Sequence, residues 1–297
     1  LHLDWHAAAY GRLLLDEIFG PDRLLNEIIW VYHGPSPIRS AFKRKHDTIY
    51  AYTKSKRYTF NADAVRIPYD QSTIKTFKSS TKAGFGKRPD LERGKVPEDW
   101  WYFPVVARLH AERTGYPTQK PEALLERILL ASSNTGDLVA DFFCGSGTLP
   151  AAAARLGRQW IACDSSPLAV NTTRRRLLLQ ETRSGFSVWL DDRNKAASDL
   201  QPELQVRAQD MKAEARLLDL KGSEQPFPES LTVLELDWSY DGTVFRSSAQ
   251  SVRGWQDREI ETLLAHVYGS PGEYTIAARA FDASGGAGLA TSSVQVA

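Results

Sequence analysis

The chain has little cysteine, two residues in 297, and no apolar run long enough to cross a bilayer. Two cysteines cannot build a disulfide framework, and they suit a reducing compartment. Without eighteen consecutive apolar residues or an amino-terminal leader pattern, a membrane role is not expected and a cytoplasmic location is. Cys144 and Cys163 do not have the spacing of a zinc site, so no metal is expected. Both read as small buried hydrophobes. Charge of one sign is also lacking overall, because the net formal charge is only +1. That sum conceals an asymmetry. Residues 38–95 carry 15 Lys and Arg against 5 Asp and Glu, a net +10, whereas residues 198–297 carry 8 against 15, a net −7. A basic segment within a neutral protein is the electrostatic footprint of a phosphate-backbone contact.

The most informative string is Asp141-Phe142-Phe143-Cys144-Gly145-Ser146-Gly147-Thr148. Leu138, Val139 and Ala140 lead into it as a buried parallel strand should. Gly145 and Gly147 permit positive φ and bring a ligand close to the backbone. A helix of small residues follows, with Gly157 placed to cap it. A second strand, residues 160–163, ends on Asp164, 23 residues after Asp141. An acid so placed in a wound α/β sheet can accept hydrogen bonds from ribose hydroxyls. The turn has no third glycine and no Gly-Lys-Ser/Thr, so a dinucleotide fingerprint and a phosphate loop are both excluded. The pattern implies a nucleoside-bearing cofactor without phosphates.

Upstream, residues 116–121 read Tyr-Pro-Thr-Gln-Lys-Pro. Pro121 suits the first position of a helix. Leu124, Leu125, Ile128 and Leu129 then fall on one face of that helix at helical spacing. This string followed by the Asp141–Thr148 turn resembles the S-adenosylmethionine (AdoMet) half of DNA amino-methyltransferases in the β-type order. The resemblance covers roughly residues 1–185. It implies an α/β, Rossmann-like methyltransferase fold, a mixed sheet with helices on both faces. It also implies AdoMet as cofactor, bound by Thr118, Lys120, Pro121, Asp141, Phe142, Phe143, Cys144, Gly145, Ser146, Gly147, Thr148 and Asp164. Thr118 and Lys120 would lie at the cofactor's carboxylate end. Neither cysteine follows a proline, unlike the nucleophile of enzymes that methylate the cytosine ring carbon.

The same resemblance makes double-stranded DNA the expected partner, with a restriction endonuclease subunit as a further one, in a bacterial or archaeal cytoplasm. Residues 53–105 form a basic insert, irregular and interleaved with aromatics, as backbone contact plus base stacking requires. In the family, target recognition maps here. The DNA-binding candidates are Lys43, Arg44, Lys75, Lys78, Lys82, Lys87 and Arg88. The aromatic run Trp100 to Pro104 reads as packing. Residues 1–20 read as a strand end followed by a helix with Leu13, Leu14 and Ile18 as its apolar face, and strands are expected at NEIIWVYHG and KHDTIYAYTKS. The family's catalytic loop, Asp/Asn/Ser-Pro-Pro-aromatic, has no match. Ile67-Pro68-Tyr69-Asp70 lacks the polar first residue and the second proline. The chain opens at the strand that follows this loop in the family, so a fragment truncated after it, and inactive alone, is expected. The expected organisation is a methyltransferase domain over 1–190, a polar linker over 191–230 with an amphipathic helix near 203–220, and a small β-rich module over 231–297. Methylation of an exocyclic amino group, adenine favoured over cytosine, is the expected activity. A non-catalytic nucleic-acid module and an RNA or protein methyltransferase are the alternatives.

Overall fold

A computed structural model describes residues 1–79, 89–181, 185–189 and 200–297. The chain divides into two compact units. The first comprises Leu1–Glu112, Lys120–Val139 and Leu156–Gln159, and the second Arg113–Gln119, Ala140–Arg155 and Trp160–Ala297.

In the first unit, β1 (His2–Leu3), β2 (Leu24–Val31), β3 (His46–Tyr52) and β4 (Trp100–Tyr102) form one sheet in the order β1-β3-β2-β4. β3 is antiparallel to both neighbours and β4 is parallel to β2, so the sheet is mixed. Strands appear where β-branched and aromatic residues cluster, as expected. Ile28, Trp30, Ile49 and Trp101 bury one face against Leu124 of α3 (Glu122–Ser132), and Leu125 and Ile128 pack at the margin. The expected apolar face of α3 is therefore the one used. Pro121 is its N-cap, in extended conformation, rather than its first helical residue. Along β4 only Trp101 turns inward, while Trp100 and Tyr102 are exposed, so the aromatic run is packing at every second residue. The helix expected near the start is α1 (Ala8–Phe19), and Gly20 follows it at φ +90°. Its Leu13, Leu14 and Ile18, expected to face a core, are exposed.

The described residues of the insert at 53–105 are less irregular than their sequence. They contain α2 (Gln71–Ser79), and Ile67 and Lys95 pair antiparallel through reciprocal 2.9 Å bonds. Gly94 permits this closure: it sits at φ +75°, and a Cβ there would lie 2.5 Å from the Ile67 carbonyl oxygen. Asn61 ties the insert to α3 by donating its side-chain amide to the carbonyls of Leu130 and Ser133. Asp70 caps α2, accepting from the Thr73 amide and hydroxyl and from Ser72. The tetrapeptide that superficially resembles a catalytic loop thus ends in a helix cap.

β5 (Leu138–Asp141) pairs with β6 (Gln159–Ala162). Asp137 accepts from Gln159 and Asp141 from Cys163, an equal step along both strands, as in a parallel pair. The expectation of a buried strand fails here. Leu138 is exposed and β5 alternates outward and inward, because β6 is its one neighbour among the described residues.

In the second unit, α4 (Thr148–Arg155) buries Ala151, Ala152 and Ala153 completely. α5 (Pro167–Leu178) starts at Ser166, whose hydroxyl accepts from the Ala169 amide. Seven strands follow: β7 (Gln201–Gln209), β8 (Lys212–Lys221), β9 (Leu231–Asp237), β10 (Ala249–Val252), β11 (Leu263–Val267), β12 (Gly272–Asp282) and β13 (Ala287–Val296). They form two antiparallel sheets, β10-β9-β12-β13 and β11-β8-β7. The helix expected near 203–220 is instead the β7–β8 hairpin, turning at Asp210 with φ +51°. In β8 Ala213, Ala215 and Leu217 are buried, whereas Leu218, counted with Leu217 on a helical face, is exposed. Alternation decided the outcome, but alanines at the inward positions disguised it as helical composition. The β-rich part accordingly begins near residue 201, not 231, and α5 packs with it rather than ending a separate domain at residue 190.

Candidate functional site

The glycine turn is built from both ends. Gly147 donates its amide to the Cys144 carbonyl at 2.8 Å and accepts from Ala151, which starts α4. Gly147 lies at φ +72°, and a Cβ on it would sit 2.5 Å from the Thr173 hydroxyl. Gly145 lies at φ +50°, and a Cβ on it would sit 3.2 Å from the Tyr116 ring. α5 supports the turn from behind: Thr173 donates to the Gly145 carbonyl, and Arg176 donates to the Ser146 carbonyl and the Thr148 hydroxyl. Ser146 and Thr148 are buried, whereas Phe142 and Phe143 are exposed.

Asp164, expected to meet a ribose, has a structural task in the turn. Its Oδ2 accepts the Gly145 amide at 2.9 Å and its Oδ1 accepts the Ser166 amide at 3.0 Å. It therefore fixes the turn and the entry to α5 together, and each oxygen keeps a lone pair for a further donor. Asp141 accepts from the Phe143 amide at 3.1 Å. Burial pushes the Cys144 thiol up to about 11, which makes it an inert small hydrophobe. Cys163, expected to be buried as well, is exposed, because it follows β6 on the outward side of the two-stranded pair.

The Tyr116–Pro121 string is divided. Thr118, at φ +58°, belongs to the second unit, and Lys120 and Pro121 belong to the first. Lys120 is not a solvated lysine. Its ammonium lies 6.0 Å from the Trp30 ring centroid, and burial lowers its pKa against the opposing pull of Asp47. Asp47 in turn accepts from Tyr32 at 3.1 Å and meets His2 at 3.0 Å. Burial works against the Asp47 carboxylate, yet the contacts with His2 and Tyr32 hold it below its usual range. Burial and this same carboxylate push the Tyr32 phenol up to about 12. His2, Tyr32 and Asp47 were missed in the sequence because only the β1-β3-β2 pairing brings them together. Their one linear sign was a charged residue inside an otherwise apolar strand.

Lys43 and Arg44 are exposed in the loop between β2 and β3, and Arg44 stacks 3.9 Å over the Trp5 ring. Lys75 and Lys78 are exposed one turn apart on α2. Lys82, Lys87 and Arg88 lie outside the described residues. Among the described residues no group of His, Cys, Asp or Glu gathers to hold a metal, and no helix is long and apolar enough to cross a membrane.

Comparison with known proteins supplies the family. The chain is 36% identical over 151 residues to the type II methyltransferase M.HpaI of Haemophilus parainfluenzae, covering 50% of this chain and 44% of that one. It is 36% identical over 156 residues to the DNA adenine methyltransferase YhdJ of Escherichia coli, covering 51% of each. It therefore spans about half the length of these relatives. The crystal structure of the M1.HpyAVI–SAM complex matches 60% of this chain and 72% of its own at 25% identity, with a TM-score of 0.41, so no residue position is carried across from it. The DNA methylase family profile matches residues 1–175, and with more than half of its length so matched the chain belongs to the DNA methylase family, the amino-methyltransferases of DNA.

Proposed function

We infer that the chain carries the AdoMet-holding part, and a DNA-facing part, of an enzyme that methylates an exocyclic amino group of a DNA base. AdoMet is the cofactor. The observation that carries this reading is the glycine turn fixed on Asp164. Two glycines at positive φ leave the backbone bare, and no lysine or serine is placed as in a phosphate loop. The donor set therefore fits a nucleoside without phosphates. Asp164 would accept from the ribose hydroxyls while continuing to brace Gly145, and the segment from Asp141 to Thr148, with Thr118, would line the rest. The bound cofactor supplies an electrophilic methyl group on a sulfonium. The chain's own contribution is to orient it and keep water away.

Adenine is the favoured target, since YhdJ is named for adenine. The cytosine amino group is the alternative. Double-stranded DNA is the substrate, and the exposed Lys43, Arg44, Lys75 and Lys78 are its backbone contacts. A companion restriction endonuclease is a further partner of this reading. An amino group conjugated with its ring is a poor nucleophile, and no string in this chain offers the paired acceptors and stacked aromatic that would activate it. We therefore expect the 297 residues to bind AdoMet without turnover. Calorimetric titration with AdoMet, beside a tritiated-methyl assay on unmethylated DNA, tests both halves. Failure to bind AdoMet overturns the site. Turnover by the chain alone overturns the claim of inactivity.

A further inference from the structure

In the first unit the turn after α1, the start of β2 and the loop after β3 enclose a surface pocket of about 410 Å³. Phe19, Asp22, Arg23, Leu25, Lys56 and Tyr58 are among the residues that line it. Backbone bonds set its walls. Gly20 turns the chain at φ +90° into the single turn Pro21–Arg23, and the Arg23 carbonyl accepts the Thr53 amide at 3.0 Å. Ser55 folds the loop on itself, its hydroxyl accepting the Arg57 amide at 3.2 Å and donating to the Arg57 carbonyl at 2.9 Å. Asn61 closes the loop by donating its amide to the Ala131 carbonyl at 2.8 Å.

The side chains at the pocket are uncommitted. Arg23 is half-buried, yet among the described residues neither it nor Lys56 has an ion pair or a hydrogen bond from its side chain, and the Tyr58 hydroxyl has none. A guanidinium partly withdrawn from water without a carboxylate on it is satisfied best by an anion from outside. Among the lining residues Asp22 alone is acidic, and Lys54 and Arg57 add two exposed cations on the same loop, so positive charge prevails. Tyr58 is 53% and Phe60 52% exposed, and Phe19, whose ring centroid lies 5.9 Å from that of Tyr52, is 39% exposed. Aromatic surface beside uncommitted cations suits a phosphate with a base attached. A base can stack on a side chain only when its face is bare, and in a duplex the neighbouring pairs cover that face. The volume falls within the usual range for ligand pockets, about 300–1,000 Å³, with room for one nucleotide. Cations and aromatics recur along Lys54, Lys56, Arg57, Tyr58 and Phe60, which extends the pattern from one nucleotide to a strand.

We propose that this pocket is a binding site for a nucleotide of an unpaired DNA strand, with its base stacked on Tyr58 and its phosphate held by Arg23 and Lys56. The proposal rests on the reading that the chain faces DNA. It adds a strand without its complement, held by residues that the duplex contacts do not include.

The test is fluorescence anisotropy of the full chain with labelled oligothymidylate of about a dozen nucleotides, an abasic strand of equal length and a duplex of equal length. The oligothymidylate should bind about fivefold or more tightly than the abasic strand. Tyr58→Ala should abolish that preference and leave duplex affinity unchanged, whereas Tyr58→Phe should keep the preference. Arg23→Gln with Lys56→Gln should flatten the slope of log affinity against log salt for the single strand by about 1.4, since each phosphate contact there contributes about 0.7. Melting temperature should stay as in the wild type, because Tyr58 and Lys56 are exposed and Arg23 joins the loop through its backbone carbonyl. Lys75→Gln with Lys78→Gln should weaken the duplex and leave the preference for bases intact, so failure of the duplex contacts and failure of this pocket are read separately. Equal affinity for the abasic strand, wild-type preference in Tyr58→Ala, or an unaltered slope in the Arg23 and Lys56 variant would overturn the proposal. So would displacement of the strand by an equimolar amount of thymidine monophosphate, which would make the pocket a site for a free nucleotide.

Discussion

At the scale of the residue, Asp164 illustrates how one side chain fixes two neighbouring elements at once. Hydrogen bonds to a charged group contribute roughly 1.5–3 kcal/mol each. Asp164 makes two to backbone amides before any ligand arrives. Asp164→Ala should therefore lower stability in urea by about 1.5 kcal/mol or more, and the folded fraction should bind AdoMet at least tenfold more weakly. Calorimetry on the folded variant separates the two effects. Unchanged AdoMet affinity would leave Asp164 with its bracing role alone. That an acid closes the strand after the glycine turn was legible from its distance to Asp141. Its bracing of Gly145 was not, because that bond depends on β5 and β6 pairing in parallel.

At the scale of the element, one carboxylate joins two separate stretches of the basic insert. Asp63 accepts from Arg66 at 2.6 Å and from Arg93 at 2.7 Å, and Arg66 also donates to the Gly94 carbonyl. Hydrogen bonds from Arg93 and then Arg66 hold the Asp63 pKa at about 2, below its ordinary 3.8. A depressed folded-state pKa gives a contribution that is complete above the unfolded value and lost as the pH falls through the folded one. The contacts of Asp63 with Arg66 and Arg93 should thus persist to about pH 4 and weaken toward pH 2. A carboxyl titration by NMR should place the Asp63 midpoint near 2, and a midpoint near 3.8 would mean that the arginines are not bound to it in solution. The same insert carries Lys75 and Lys78 on α2. Neutralising both should flatten the slope of log DNA affinity against log salt by up to about 2, since each phosphate contact contributes about 0.9. An unaltered slope would place both lysines away from the DNA.

At the scale of the whole molecule, the buried pair Arg174–Glu235, 3.2 Å apart, joins α5 to β9, and the Arg174 guanidinium also lies 4.1 Å over the Phe281 ring. Removing one member of a buried pair strands the other and costs about 3–5 kcal/mol. Glu235→Ala should lower the urea midpoint accordingly, whereas a loss below about 1 kcal/mol would mean that water reaches Arg174. The residues after Ser166 are thus not an appendix to the glycine turn: Thr173 and Arg176 support the turn from the helix that also anchors the β-rich strands.

The sequence by itself determined the glycine turn, the strands that flank it, the apolar face of α3 and the placement of basic charge in the insert. Each rests on local chemistry: glycine where φ is positive, alternation or helical spacing where a face is buried, and like charges close along the chain. Only the tertiary structure decided what depends on partners far away in sequence. The hairpin at 201–221 hid behind alanines, whose helix propensity gave way to pairing between strands. Leu138 and Cys163 looked like core residues until the number of strands beside them was known. His2, Tyr32, Asp47 and Lys120 share an environment because β3 lies between β1 and β2 and α3 packs on their sheet. Asn171, an ordinary polar residue on a helix, acquires an unpaired buried oxygen only because the β12 carbonyl at Asp282 takes its other end. Propensity and spacing are written along the chain, whereas burial and pairing are properties of what the folded chain brings alongside.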